Sequence, residues 1–120
     1  SLISEGCIIN AKAIKKSVIG NQSRIGEGTV IENSYIMGND FYQSLTDMKE
    51  DIENENQLIG IGERCYINHA LVDKNCRIGN DVYINGGKHL TNCSEELYCI
   101  KDGIVVIKKG KTLPDNFRIE

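Results

Sequence analysis

The chain has 120 residues, of which 40% are hydrophobic and 26% are charged, and its formal net charge is −3 at pH 7. This length is enough for one modest core. The weak negative charge gives no reason to expect a nucleic acid or a membrane as a partner, and no apolar run approaches the roughly 20 residues of a membrane helix. The five cysteines include no Cys-x-x-Cys spacing, so no zinc ribbon, redox motif or other metal site is predicted.

Aliphatic residues recur along the chain at intervals of five or six. A helix would need intervals of three and four, and a strand would need two, so neither pattern fits. The positions are Ile3, Ile9, Ile14, Ile19, Ile25, Ile31 and Ile36, then Ile61, Ile67, Val72, Ile78 and Ile84, and finally Ile107, Leu113 and Ile119. This period predicts short strands separated by regular corners.

The residues around each aliphatic position are also restricted. The next residue is often Gly, Asp, Asn or Ser, as at Gly20 and Gly26, which predicts a corner that tolerates positive φ. Four residues after the aliphatic comes something small or β-branched, which predicts a second inward position: Cys7, Ala13, Ser23, Thr29, Cys65, Cys76 and Val82. The three cysteines of this set are therefore predicted to be small core residues.

Three such sides close a triangular coil, and stacked coils bury one another. The sequence therefore predicts an all-β fold, a parallel β-helix built from hexapeptide repeats. The spacing places Ile3 on Ile19, Ile9 on Ile25 and Ile61 on Ile78. The period itself does not set the hand of the helix.

The period divides the chain into five segments. Residues 1–36 are coils that begin in mid-repeat, which favours a preceding segment. Residues 37–60 contain six acidic residues and one basic residue, a local net charge of −5, and are predicted to form one projecting insertion loop that can hold a helical turn. Residues 61–86 resume the coils, 87–103 form a non-repeating connector, and 104–120 form an atypical terminal coil that caps the stack.

Four motifs occur in order, with the insertion at the expected place: Met37-Gly38-Asn39-Asp40-Phe41-Tyr42, Ile59-Gly60-Ile61-Gly62, Val72-Asp73-Lys74-Asn75-Cys76-Arg77-Ile78-Gly79 and Gly103-Ile104-Val105-Val106-Ile107-Lys108-Lys109-Gly110. Together they resemble the C-terminal left-handed β-helix domain of ADP-glucose pyrophosphorylases (glucose-1-phosphate adenylyltransferases). The resemblance covers essentially all 120 residues. It departs from the family at Lys108, where relatives usually carry Pro or an aliphatic residue, and in the divergent, Asn- and Glu-rich insertion.

This resemblance implies an N-terminal catalytic domain, absent here, that uses ATP and magnesium to make ADP-glucose and pyrophosphate from glucose 1-phosphate. The β-helix domain would carry no catalytic residue, cofactor or metal and would be inactive alone. It would pack against the catalytic domain, build a homo- or hetero-tetramer, and help to bind a phosphorylated metabolite effector. The implied location is the bacterial cytoplasm or the plastid stroma.

The resemblance places two residues on the effector-binding lysines of the family. Lys74 lies in the Asp-Lys-Asn motif, and an ungapped match from Gly103 to Pro114 selects Lys109 rather than Lys108. Lysines supply flexible point charges that suit phosphate or carboxylate groups. The alternative is that both are solvated lysines at corners of the coil.

Two other functions remain open from the sequence. A hexapeptide acyltransferase would use a coil histidine as general base, and His69 is the candidate, although it has no evident partner. A non-catalytic scaffold from a regulatory subunit would have the fold without an effector site. Cys93 and Cys99 are expected to have ordinary surface or packing roles.

Overall fold

The structure, a computed structural model, describes residues 2–39, 49–50 and 59–120. These residues form three sheets whose parallel strands follow one another around a triangular prism. Each coil takes one strand from each sheet, and the described residues contain five coils. The predicted parallel β-helix is confirmed. No helix among the described residues has the length and apolarity to cross a membrane.

The strands are numbered in chain order. The first sheet holds β1 (Leu2–Ile3), β4 (Val18–Ile19), β7 (Tyr35–Ile36), β10 (Ala70–Val72), β15 (Ile104–Ile107), β14 (Tyr98–Lys101) and β13 (Cys93–Ser94). The second sheet holds β2 (Ile8–Ile9), β5 (Arg24–Ile25), β8 (Gly60–Ile61), β11 (Arg77–Ile78) and β16 (Thr112–Leu113). The third sheet holds β3 (Ala13–Lys15), β6 (Val30–Glu32), β9 (Tyr66–Asn68), β12 (Tyr83–Asn85) and β17 (Arg118–Ile119).

The register of the strands follows the aliphatic period. Ile3 pairs with Ile19, Ile9 with Ile25, and Ile61 with Ile78, as predicted. Because alternate residues of a strand face opposite sides, this register puts every aliphatic column inside the prism. The columns of coils 2–5 are almost fully buried, and this burial is the main driving force for the fold.

The second inward position is confirmed for most of its predicted residues. Cys65 and Cys76 are buried in the core, whereas Cys7, in coil 1, is half-buried. Thr29 is fully buried, and its hydroxyl donates to the carbonyl of Gly62 at 2.8 Å and accepts from the amide of Cys65 at 3.1 Å. Ala13 differs from the prediction, because it pairs with Val30 beside the inward Ile14 and so faces outward.

The prediction for the corners was wrong about where positive φ occurs. The glycines that follow the aliphatic residues, such as Gly20 and Gly26, have ordinary φ values. They are required because a Cβ at Gly26 would lie 2.5 Å from the carbonyl of Gly62 in the next coil. Positive φ falls instead two or three residues after the aliphatic, for example at Gln22 (57°) and Arg64 (56°).

The 87–103 connector contains two strands that the sequence period did not reveal. β14 pairs antiparallel with β15, and β13 pairs antiparallel with β14. The resulting hairpin covers the edge of the first sheet at coil 5. The ring of Tyr98 also packs edge-on against Phe117, with 5.9 Å between the ring centres.

The two ends of the stack differ. At coil 1, the inward Ile3 is 47% exposed and the strands β1, β2 and β3 are sheet edges. At coil 5, Ile107 and Leu113 are fully buried. Within the 37–60 insertion, Lys49 and Glu50 are helical and exposed. The rest of the predicted 37–60 loop, residues 40–48 and 51–58, lies outside the described residues.

Candidate functional site

The corner that joins each strand of the first sheet to the second sheet is called the first corner. Its middle residue lies two positions after the inward aliphatic of the first sheet. In coils 1–5 this residue is Glu5, Asn21, Gly38, Lys74 and Lys109. The structure therefore brings the two predicted site residues together, at equivalent positions of coils 4 and 5.

Backbone hydrogen bonds connect the first corners along the stack. The amide after each middle residue donates to the middle carbonyl of the preceding coil. These bonds are Gln22 to Glu5 at 3.1 Å, Asn39 to Asn21 at 2.9 Å, Asn75 to Gly38 at 3.2 Å and Gly110 to Lys74 at 2.9 Å. Since hydrogen-bonded parallel strands are about 4.8 Å apart, the backbones of Lys74 and Lys109 are separated by about one coil height.

Local sequence holds both lysines in this conformation. The Asp73 carboxylate accepts a hydrogen bond from the amide of Lys74 at 2.7 Å. Asn75 and Gly110, which follow the two lysines, adopt φ values of 60° and 71°. Asn and Gly are residues that tolerate this left-handed conformation, so the chain turns sharply after each lysine. The inward Val72 and Ile107 anchor the other side of the turn.

The side chains of Lys108 and Lys109 have different surroundings. The Lys108 ammonium donates to the carbonyl of Glu95 at 2.5 Å and lies 3.5 Å from the Ser94 hydroxyl, so it is directed toward the hairpin. Lys109 is exposed and Lys74 is half-buried at the first corner. The hairpin therefore engages Lys108, whereas Lys109, which the ungapped match selected, is exposed.

Positive charge is concentrated around the two lysines. Residues 73–77 and 108–111 together carry five basic side chains and one acidic side chain. Three of the basic residues, Arg77, Lys108 and Lys111, were not singled out from the sequence. The Lys108-Lys109-Gly110-Lys111 run was the available signal, but only the fold shows that it stacks on Lys74 and Arg77. Such a cluster favours binding of an anion.

A cleft of about 610 Å³ extends along the first corners of coils 1–4. Its lining includes Asn21, Gln22, Tyr35 and Asn39, and Lys74 is its contribution from coil 4. The cleft therefore continues from the basic cluster into a surface of amide and hydroxyl groups, with the Glu5 carboxylate at its coil 1 end, which suits a polar ligand.

The histidines lie elsewhere. His69 is exposed at a different corner, between the third and first sheets, with a φ of 50°. His89 is exposed in the connector. Within the described part of the chain, no group of three or more His, Cys, Asp or Glu side chains is placed to hold a metal ion.

The cysteines are not arranged as nucleophiles or as a disulfide. Burial raises the pKa of the Cys65 and Cys76 thiols, so both are protonated near neutral pH and pack as core residues. Cys93 is opposite Ile100, whereas Cys99 is opposite Ser94. Because directly opposite residues share a face and successive residues alternate, the Cys93 and Cys99 side chains lie on opposite faces of the hairpin.

Comparison with known proteins agrees with this fold. The family model of the GLGC left-handed parallel β-helix domain matches residues 1–117. The chloroplastic/amyloplastic small subunit of glucose-1-phosphate adenylyltransferase from Triticum aestivum is 40% identical over 116 residues, or 95% of this chain, which spans 24% of the length of that relative. These matches confirm the resemblance to ADP-glucose pyrophosphorylases and the left hand of the helix. The chain belongs to the family of GLGC left-handed parallel β-helix domains.

Proposed function

We propose that the chain is the regulatory and oligomerisation domain of a glucose-1-phosphate adenylyltransferase. The parent enzyme would make ADP-glucose and pyrophosphate from ATP and glucose 1-phosphate for glycogen or starch synthesis. The observation that carries the proposal is that Lys74 and Lys109, the two positions matched to effector lysines, stack in adjacent coils. The name of the Triticum aestivum relative supports a plastid location.

The stacked lysines bind a phosphorylated metabolite in this proposal. Two ammonium groups on backbones about 4.8 Å apart can donate to different oxygens of one phosphate, and charge-assisted bonds of this kind are roughly twice as strong as neutral ones. Arg77 and Lys111 raise the local positive potential, and the polar cleft beside Lys74 accommodates the rest of the metabolite.

The adenylyl transfer takes place in a separate domain, which uses ATP and magnesium. This chain affects the reaction by binding an effector. Coupling then requires that the β-helix and the catalytic domain have two relative arrangements for which the effector has different affinities. Effector binding shifts the balance between these arrangements without any residue of this chain touching the substrates.

Substituting either lysine should weaken effector binding in the full-length parent. With 3-phosphoglycerate as the effector, Lys74→Ala and Lys109→Ala should each raise the half-saturating concentration about tenfold to a hundredfold, because a charge-assisted contact contributes about 1.5–3 kcal/mol. Activity without effector should change little. Steady-state rates measured across an effector titration test this.

Lys12→Ala is the matched control for this titration, since Lys12 is an exposed lysine of coil 1. Its titration curve should overlay that of the parent. Curves for Lys74→Ala and Lys109→Ala that also overlay the parent would remove the effector site and leave the scaffold alternative.

The outward face of the first sheet supports the partner part of the proposal. Leu2, Val18, Tyr35, Leu71 and Ile104 line one groove of about 650 Å³ on this face. Tyr35 and Ile104 are 46% and 48% exposed. Exposed apolar surfaces of this kind are typical of interfaces, and we propose that this face packs against the catalytic domain and contributes to a homo- or hetero-tetramer.

The isolated chain should therefore self-associate through this face. Tyr35→Glu combined with Ile104→Lys should raise the dissociation constant at least tenfold, because two exposed apolar side chains lose their contact area and become charged. Sedimentation velocity over a concentration series measures the change. Ile8→Lys is the control, since Ile8 is 53% exposed on the second sheet. If Ile8→Lys dissociates the chain and the Tyr35→Glu, Ile104→Lys variant does not, the contact lies on another face.

A further inference from the structure

The β13–β14 hairpin ends in two acidic residues. Ser94 is opposite Cys99, and the amide of Glu95 donates to the carbonyl of Tyr98 at 2.8 Å. Glu96 and Leu97 therefore form the turn between the two strands. Glu95 and Glu96, called the acidic tip from here on, are both exposed.

Two contacts attach the acidic tip to the first corner of coil 5. The amide of Lys108 donates to the carbonyl of Leu97 at 3.0 Å. The Lys108 ammonium donates to the carbonyl of Glu95 at 2.5 Å. Both bonds come from Lys108. The hairpin is further held by the contact of Tyr98 with Phe117.

These contacts put the acidic tip next to Lys109. Glu96 immediately precedes Leu97, and Lys109 immediately follows Lys108, so both lie one residue beyond the last hydrogen-bonded pair. Neighbouring Cα atoms are about 3.8 Å apart and paired strands about 5.5 Å, so the Cα atoms of Glu96 and Lys109 are separated by at most about 13 Å. Glutamate and lysine side chains are long enough to span this separation and to bring a carboxylate and an ammonium within about one Debye length, about 8 Å at physiological salt.

We propose that the acidic tip is a built-in competitor that lowers the affinity of the Lys74–Lys109 site for anions. The inference rests on the proposed effector role of these lysines. The carboxylates attract the ammonium of Lys109 and repel an incoming phosphate, so the effector must bind against them. The hairpin thereby sets the concentration at which the site fills, and it discriminates against ligands of higher negative charge.

The competition can be measured on the 120-residue chain with inorganic phosphate as the probe. Amide NMR shifts of Lys74 and Gly110, at constant ionic strength, report the dissociation constant. Glu95→Gln combined with Glu96→Gln should lower it about twofold at 0.15 M ionic strength and about sevenfold at 0.01 M, for charges about 10 Å from a doubly charged phosphate. In the Lys109→Ala background, the same two substitutions should lower the dissociation constant for phosphate by a smaller factor.

The matched control removes two exposed carboxylates from the corners that join the second sheet to the third, Glu27→Gln with Glu63→Gln. It should change the dissociation constant by less than about 1.5-fold at 0.15 M ionic strength. An unchanged affinity in the acidic-tip variant would overturn the inference. A change of equal size at both ionic strengths would also overturn it, because an effect that came from a loosened hairpin rather than from charge would not be screened by salt.

The same titration separates this inference from the function on which it rests. If Lys109→Ala does not weaken phosphate binding, the effector site itself is wrong and the inference falls with it. If Lys109→Ala weakens binding while the acidic-tip variant binds like the parent, only the competition is wrong.

Discussion

Replacing Ile25 with aspartate is expected to unfold the chain. Ile25 is fully buried in the second sheet, where it stacks between Ile9 and Ile61. The substitution removes apolar contacts and places a carboxylate without a partner inside the prism, at a cost of several kcal/mol. That loss is comparable with the whole stability of a small domain, about 5–15 kcal/mol. Far-UV circular dichroism during urea titration measures it.

Ile8→Asp is the matched control for this result. Ile8 lies in the same sheet as Ile25, one coil earlier, but its side chain faces outward and is 53% exposed. A carboxylate there stays solvated, so the free energy of unfolding should fall by about 1 kcal/mol or less. Equal urea midpoints for the two variants would show that the inward and outward assignments are wrong.

Gly26→Ala is expected to destabilise the chain by about 2–3 kcal/mol, although it adds a single methyl group. The new Cβ would lie 2.5 Å from the carbonyl of Gly62 and 2.8 Å from the amide nitrogen of Glu63. Both contacts are with the backbone of the adjacent coil. The coils therefore have to separate, which weakens the parallel ladder on both sides.

Gly110→Ala separates this steric effect from conformational strain. Nothing lies within 4 Å of a Cβ at Gly110, but its φ is 71°, so alanine there should cost only about 1 kcal/mol. Urea midpoints should fall in the order parent, Gly110→Ala, Gly26→Ala. The reverse order would mean that the coils can move apart at little cost.

The stacking of the coils could be predicted because the interior of the prism is narrow. Each side has room for few inward side chains, and a slip of one residue would turn an isoleucine such as Ile25 to solvent. The aliphatic period therefore determines the register as well as the fold. The pairing of Ile3 with Ile19 and of Ile61 with Ile78 followed from counting residues alone.

The corners could not be predicted in the same way. The glycine after the aliphatic is required by the backbone of the next coil, a contact between residues such as Gly26 and Gly62 that are far apart in sequence. Positive φ is taken up by Lys16, Gln22, Arg64 and His69 as well as by Gly and Asn. The other positive-φ positions are Gly, Asn or Asp, which favour this conformation, but Lys, Gln and Arg do not, so the left-handed position could not be predicted at every corner.

The candidate site was partly visible in the sequence. Lys74 and Lys109 each lie two residues after an inward aliphatic, which already places them at equivalent corners. The hairpin beside them was hidden because its strands run antiparallel at a sheet edge and need no hexapeptide period. Its turn, Glu96-Leu97, also lacks the Asn-Gly or Asp-Gly signal of a tight hairpin.

The two terminal coils of the stack are stabilised to different extents. In a one-dimensional lattice of coils, each interior unit is stabilised by two neighbours and a terminal unit by one. Coil 5 gains a substitute neighbour from the hairpin and from Phe117, whereas coil 1 has none among the described residues and leaves Ile3 half exposed. The isolated 120-residue chain is therefore expected to fray from coil 1, so the lysines of coils 4 and 5 lie at the end that opens last.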